Sequence, residues 1–140
     1  MSILLTINRL YRRVMSNTEQ IGIVVIGRNE GSRPVACLDS LHGIAAAAVY
    51  VDSGSTDGSI DMARSRGVAV VELDMTRPFT AARARNAGFR RLRELHPDIT
   101  LVQFVDGDCM VAEGWLEFAH DYLNANPDVA IVCGRRKEMH

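Results

Sequence analysis

Ile21-Gly22-Ile23-Val24-Val25-Ile26-Gly27-Arg28-Asn29-Glu30-Gly31 holds the strongest structural signal in the chain. Its first six residues are apolar and, apart from Gly22, β-branched. A strand with one wet face alternates polar and apolar residues, whereas an unbroken run needs cover on both faces. Ile21–Ile26 therefore predicts a fully buried strand, and the glycines and polar residues at 27–31 break it.

The same alternation of buried run, polar turn and helix recurs downstream. A helix is expected over roughly Pro34–Leu41, ending near Gly43, then a second strand over Ala46–Val51. Ser53-Gly54-Ser55-Thr56 is a turn, with Thr56 or Asp57 capping a helix to Arg66 that stops at Gly67. Val68–Leu73 predicts a third strand, and Thr80 caps a long helix through about Leu95, closed by His96-Pro97. Thr100–Val105 is a fourth strand, Glu113–Asn124 a helix and Val129–Cys133 a fifth strand. Strands alternating with helices imply a mainly parallel sheet in a Rossmann-like, three-layer α/β/α arrangement built from right-handed βαβ units. Ligands of such sheets lie beyond the carboxyl ends of the strands. That directs attention to Gly27–Glu30, Asp52–Ser55, Asp74–Thr80 and Asp106–Asp108.

Bulk properties exclude several classes. At 140 residues the chain fits one globular domain, and its net charge of −1 gives no reason to expect nucleic acid. No apolar run approaches the ~18 residues of a membrane span. Residues 1–20 place Ile3, Leu4, Ile7, Leu10, Tyr11 and Val14 at helical spacing opposite arginines. They read either as an N-terminal extension ahead of a start at Met15-Ser16, or as an amphipathic helix that meets a membrane or a partner. Cys37, Cys109 and Cys133 match no zinc or CxxC pattern and are expected to be reduced, mostly buried thiols. A cytoplasmic protein follows, with any attachment to the inner face of the membrane confined to residues 1–20.

Three strand ends carry chemistry. Asp52 can accept hydrogen bonds from a base N–H or a ribose hydroxyl, and Gly54 lets a ligand approach the backbone. Helix capping explains Thr56 or Asp57; Asp52 precedes the turn and is expected to gain nothing from it. Arg83 and Arg85 sit in the first turns of a helix, where cations are locally unfavourable unless an anion docks there. The bland alternative is that at least one of them lies over the protein surface. In Asp106-Gly107-Asp108, two carboxylates about 5 Å apart repel by roughly 3 kcal/mol at an effective dielectric of 20. A bound Mg²⁺ or Mn²⁺ turns that repulsion into a binding site, its other ligands being water and phosphate oxygens.

Taken in order, Ile23-Val24-Val25-Ile26 leading to Asn29-Glu30, then Val51-Asp52-Ser53-Gly54-Ser55-Thr56-Asp57, Ala84-Arg85-Asn86-Ala87-Gly88 and Phe104-Val105-Asp106-Gly107-Asp108 resemble the family 2 glycosyltransferases of GT-A fold. The resemblance covers roughly residues 21–136. It implies a nucleotide-diphospho-sugar donor, with Glu30 and Asp52 near the nucleoside and Asp106 and Asp108 at the metal and diphosphate. Arg28, Asn29, Ser53, Gly54, Arg85, Asn86 and Gly107 complete the implied donor site. It also implies a sugar, lipid or protein acceptor. Two departures stand out: Gly27-Arg28 replaces the family's Pro-x-Tyr before Asn-Glu, and Asp52-Ser53 replaces its doubled acid. The family's acceptor region and carboxylate base follow the fifth strand, so residues 21–140 read as an incomplete, donor-binding portion with no identified base. Its uncovered carboxy-terminal flank suggests a homo-oligomer. Two alternatives are a non-catalytic nucleotide-binding or assembly module, and a haloacid-dehalogenase-like phosphatase with Asp106 as nucleophile and Asp108 as acid. The phosphatase motif usually continues to Thr or Val and sits on the first strand, unlike Cys109-Met110 here.

Overall fold

A computed structural model describes residues 20–41, 43 and 47–135. The helix expected over residues 1–20 lies outside the described residues except for Gln20. Four strands form one sheet: β1 (Ile21–Gly27), β2 (Ala47–Asp52), β3 (Ala69–Glu72) and β4 (Leu101–Asp106). The helices are α1 (Arg33–Ser40), α2 (Ser59–Ser65), α3 (Ala81–Leu95) and α4 (Trp115–Ala125). Strand order is β3-β2-β1-β4 and every neighbouring pair is parallel. The chain is thus α/β and Rossmann-like, as its alternation predicts.

Central β1 shows why the unbroken apolar run was informative. Ile23 and Val25 point into one core with Cys37, Leu38 and Leu41 of the α1 region, Ala63 of α2 and Leu116 of α4. Val24 and Ile26 point into the other with Val49 and Val51 of β2 and Ala84 and Leu92 of α3. Each face of β1 is covered, so no position tolerates a polar residue.

The layer formed by α3 sits unusually close to the sheet. Ala84, Gly88 and Leu92 share one buried stripe. A Cβ at Gly88 would overlap Val24 Cγ1 and come within 2.8 Å of Val51 Cγ2. Thr80 caps α3 as predicted, its hydroxyl accepting from the Arg83 N–H at 3.1 Å.

Three expectations need correction. Val129–Cys133 forms no strand; it joins neither sheet edge, and Ile131 is 77% exposed. Strand-forming residues without a ladder partner do not make a strand, and the segment instead begins in a turn, with Val129 N–H on the Asn126 carbonyl, and passes Gly134 over the Trp115 ring. Helix α2 starts at Ser59, with left-handed Gly58 at its N-cap, so neither Thr56 nor Asp57 is the capping residue. Of the cysteines only Cys37 is buried, Cys109 being half-buried and Cys133 exposed. Nearby Phe118 and Tyr122 stack on α4 with their rings 6.0 Å apart and leave apolar surface in solvent. No helix among the described residues is long and apolar enough to cross a membrane.

Replacing Gly88 with alanine forces α3 away from β1 and β2. Urea unfolding should report a loss of about 1–3 kcal/mol, the range for overpacked cores. An unchanged midpoint would show that the helix is not seated against the sheet at this residue.

Candidate functional site

The site begins where the parallel ladders end. Register pairs Gly27 with Asp52 and Ile26 with Asp106, so three strand ends are level. The backbone continues the pairing one step further. Ser53 N–H donates to the Gly27 carbonyl at 3.0 Å, and Gly107 N–H donates to the Ile26 carbonyl at 2.8 Å. Gly107 is tightly seated, since a Cβ there would lie 3.2 Å from that same carbonyl oxygen.

A cleft of about 300 Å³ opens over this edge. Its floor comes from Ile26, Gly27 and Ser53. Arg28 and Glu30 line one side, and Asp106 and Asp108 another. Phe79, Ala81 and Arg85 of the α3 entrance close the third. Six of the residues expected from sequence to bind ligand or metal therefore share one wall-to-wall space: Arg28, Glu30, Ser53, Arg85, Asp106 and Asp108.

The other candidates hold the walls in place. Asn29 takes a left-handed backbone (φ 52°), which asparagine tolerates better than most residues. Its N–H donates to Ser55 Oγ at 2.9 Å, and its Oδ1 accepts from Thr56 N–H at 2.8 Å. Asp57 makes a second stitch, accepting from Gly31 N–H at 2.8 Å and from the amide and hydroxyl of Ser59. These bonds, the Ser59 hydroxyl foremost, hold the Asp57 carboxyl below the usual aspartate range.

Asp52 corrects the expectation that it gains nothing from the turn. It is buried, and its Oδ2 accepts from the N–H groups of Gly54 and Ser55, both at 2.8 Å. Gly54 supplies the positive φ (81°) that the turn needs. Asp52 Oδ1 and Ser53 Oγ are buried without a hydrogen-bond partner, so the turn keeps unspent polar capacity beside the cleft. The Tyr50 hydroxyl beneath it also lacks a partner in bonding geometry, although the Ser59 and Ser55 hydroxyls favour its ionised form. Burial outweighs them and, with the Asp52 charge, pushes the phenol up to about 12.

The two arginines in the first turns of α3 part company. Arg83 donates to the carbonyls of Asp74 (2.7 Å), Arg77 (3.2 Å) and Pro78 (3.5 Å), clamping the loop that carries Phe79. It thus satisfies protein carbonyls rather than an external anion. Asp74 braces the same loop, its carboxyl lowered first by the Thr76 hydroxyl that it accepts from. Arg85 instead reaches across the cleft, with its guanidinium 2.8 Å from Asp106 Oδ1. Asn86 lies on the exposed side of α3 and does not line the cleft.

Behind the acidic turn, burial pushes the Cys37 thiol up to about 12, with Cys109, Asp108 and Asp106 adding to the effect. A thiol so disfavoured as thiolate is packing, not a nucleophile. Asp106 and Asp108 remain the groups able to hold a hard cation. Among the described residues no cluster of three or more His, Cys, Asp or Glu stands ready for a metal. A two-carboxylate donor set suits Mg²⁺ or Mn²⁺, which keep water and phosphate as most of their ligands.

Sequence reasoning missed Phe79 and Ala81 as cleft walls. Phe79 had a signal: a large apolar residue, 41% exposed here, among the polar strand-end residues Asp74–Thr80.

A protein-family model described as Glycosyl transferase family 2 matches residues 22–139. A search of curated proteins finds no match. The chain belongs to glycosyl transferase family 2.

Replacing Asp57 with alanine removes the acceptor for the Gly31 and Ser59 amides. Hydrogen exchange at both should accelerate while exchange in β1 stays unchanged. The carboxyl's value in the folded protein is below the ordinary 3.8. Its stabilising contribution is therefore complete above the unfolded-state value and lost as pH falls through the folded one. Gly31 protection should accordingly be flat near neutrality and decline only in acid below about pH 4; a decline centred near pH 6 would contradict this assignment.

Proposed function

We propose that the cleft binds a nucleotide-diphospho-sugar together with Mg²⁺ or Mn²⁺, and that residues 21–140 form the donor-binding part of a sugar transferase. The observation that carries this reading is the convergence of three level strand ends, two acidic side chains and Arg85 on one cleft.

Each wall suits one part of such a donor. Ser53 lines the cleft beside buried Asp52 and suits the nucleoside end of such a donor. Phe79 places an aromatic ring on the cleft wall, suited to a flat ring in place of the family's absent tyrosine. Arg85, with its planar fork, suits phosphate oxygens.

Charge supports the cation. The cleft walls carry two cationic side chains, Arg28 and Arg85, against three anionic ones, Glu30, Asp106 and Asp108. A diphosphate alone meets a net negative wall; one divalent cation reverses the sign. When bound, that cation supplies electrostatic stabilisation of the departing nucleoside diphosphate. The protein's share is to hold the diphosphate, keep the sugar at the cleft mouth and exclude water by packing the floor. The base that takes the acceptor's proton is assigned to no described residue.

Calorimetry with UDP and GDP, each with and without Mn²⁺, tests the reading. Heat should appear with at least one nucleotide and depend on the metal. Asp106→Asn should weaken the metal-dependent binding at least about ten-fold and leave the thermal midpoint unchanged, because Asp106 is exposed. Absence of binding to either nucleotide in the presence of Mn²⁺ rejects it.

A further inference from the structure

We propose that Arg85 is a latch on the cation corner, making divalent-cation binding at Asp106 conditional on a phosphate-bearing ligand. This rests on the nucleotide and metal reading above and adds an order of assembly to it.

The geometry comes from strand parity. Val102 and Phe104 alternate with Val105 along β4, so Asp106 falls on the α3 face of the sheet. Arg85 follows buried Ala84 on α3 and meets Asp106 Oδ1 at 2.8 Å. Among the described residues this is the single hydrogen bond of the Arg85 side chain, and likewise of the Asp106 carboxylate. A cation drawn to that carboxylate competes with the guanidinium held on Oδ1 at 2.8 Å and is repelled by its charge.

Displacement is unfavourable when Arg85 has nowhere to go. The other carboxylates that line the cleft are the cation's own Asp108 and Glu30, the latter 3.7 Å from Arg33. Returning the guanidinium to water forfeits the pair and leaves two positive charges close together. A diphosphate changes the balance, because it accepts the released guanidinium bidentately while sharing the cation. The side chains of Arg85 and Asp106 are 40% and 55% exposed, so the bond is weak enough to exchange. Arg85 is thus a positioning residue for the cation and a ligand for the phosphate in turn.

Arg83 is the natural control. It removes the same charge from the same helical turn, yet its guanidinium is committed to loop carbonyls and does not touch Asp106.

The test is Mn²⁺ titration followed by electron paramagnetic resonance of the free ion, without and with saturating UDP or GDP. For Arg85→Gln, Mn²⁺ alone should bind about five-fold more tightly than to the unmodified protein. The factor by which the nucleotide tightens Mn²⁺ should shrink by a similar amount. Arg83→Gln should leave Mn²⁺ binding within about two-fold, since it removes only a screened charge. A gain of affinity cannot come from damage to the fold. Unchanged or weaker Mn²⁺ binding by Arg85→Gln, in a protein that still binds Mn²⁺ with nucleotide, overturns the latch and leaves the site reading standing. Equal tightening by Arg83→Gln also overturns it, reducing the effect to general charge. If the unmodified protein binds no Mn²⁺ with either nucleotide, the site reading falls and the latch with it.

Discussion

Parallel register along β1 organises this molecule. Because β1 is hydrogen-bonded on both sides, its alignment fixes where β2 and β4 end relative to it. Gly27 faces Asp52, Ile26 faces Asp106, and the chain leaves every strand at the same edge. A slip of one residue in either pairing would turn the strand's apolar set away from its core. A slip between β1 and β4 would also turn Asp106 from the α3 face to the opposite one, away from Arg85. The two cores that hold register and the site at the strand ends are therefore specified by the same alternation of side chains.

Around that edge, polar residues divide their work between structure and ligand. Asn29 and Asp57 spend their oxygens tying the β1 loop to the β2 loop. Arg83 spends its guanidinium on three carbonyls of the β3 loop. Asp52 spends one oxygen on its own turn and keeps the other. A cleft walled partly by loops can stay preorganised because these bonds replace the ladder where it ends.

The sheet was legible in the sequence because burial on both faces leaves an unbroken apolar run at Ile21–Ile26, while Thr100–Val105, less buried, is interrupted only by Gln103 after its first residue. Val129–Cys133 has the same composition and is not a strand, since composition cannot say whether a partner edge is offered. The start of α2 was misplaced for a related reason. Asp57 has capping chemistry, but its oxygens bond Gly31 of the β1 loop as well as Ser59, a long-range choice no local rule contains. In the site, residue types at strand ends sufficed to find the acidic turn and Arg85. Their pairing depended on which face Asp106 takes and how closely α3 approaches, and the small residues Ala84 and Gly88 encode that approach only once the sheet is known.

Arg83 and Arg85 show how far one helical step decides function. They are two residues apart, about 200° around a helix of 3.6 residues per turn. Thr80 and the Ala84–Gly88–Leu92 stripe fix the phase of that helix, one by capping its start and the others by burial against Val24 and Val51. With the phase set, Arg83 turns back to the preceding loop and Arg85 forward to Asp106. Helix-terminal charge alone makes the two equivalent; packing on the opposite side of α3 separates them. The electrostatics of the cleft are thus set by an apolar contact: the absence of a side chain at Gly88 brings the helix down far enough for one arginine, and not the other, to reach the end of β4.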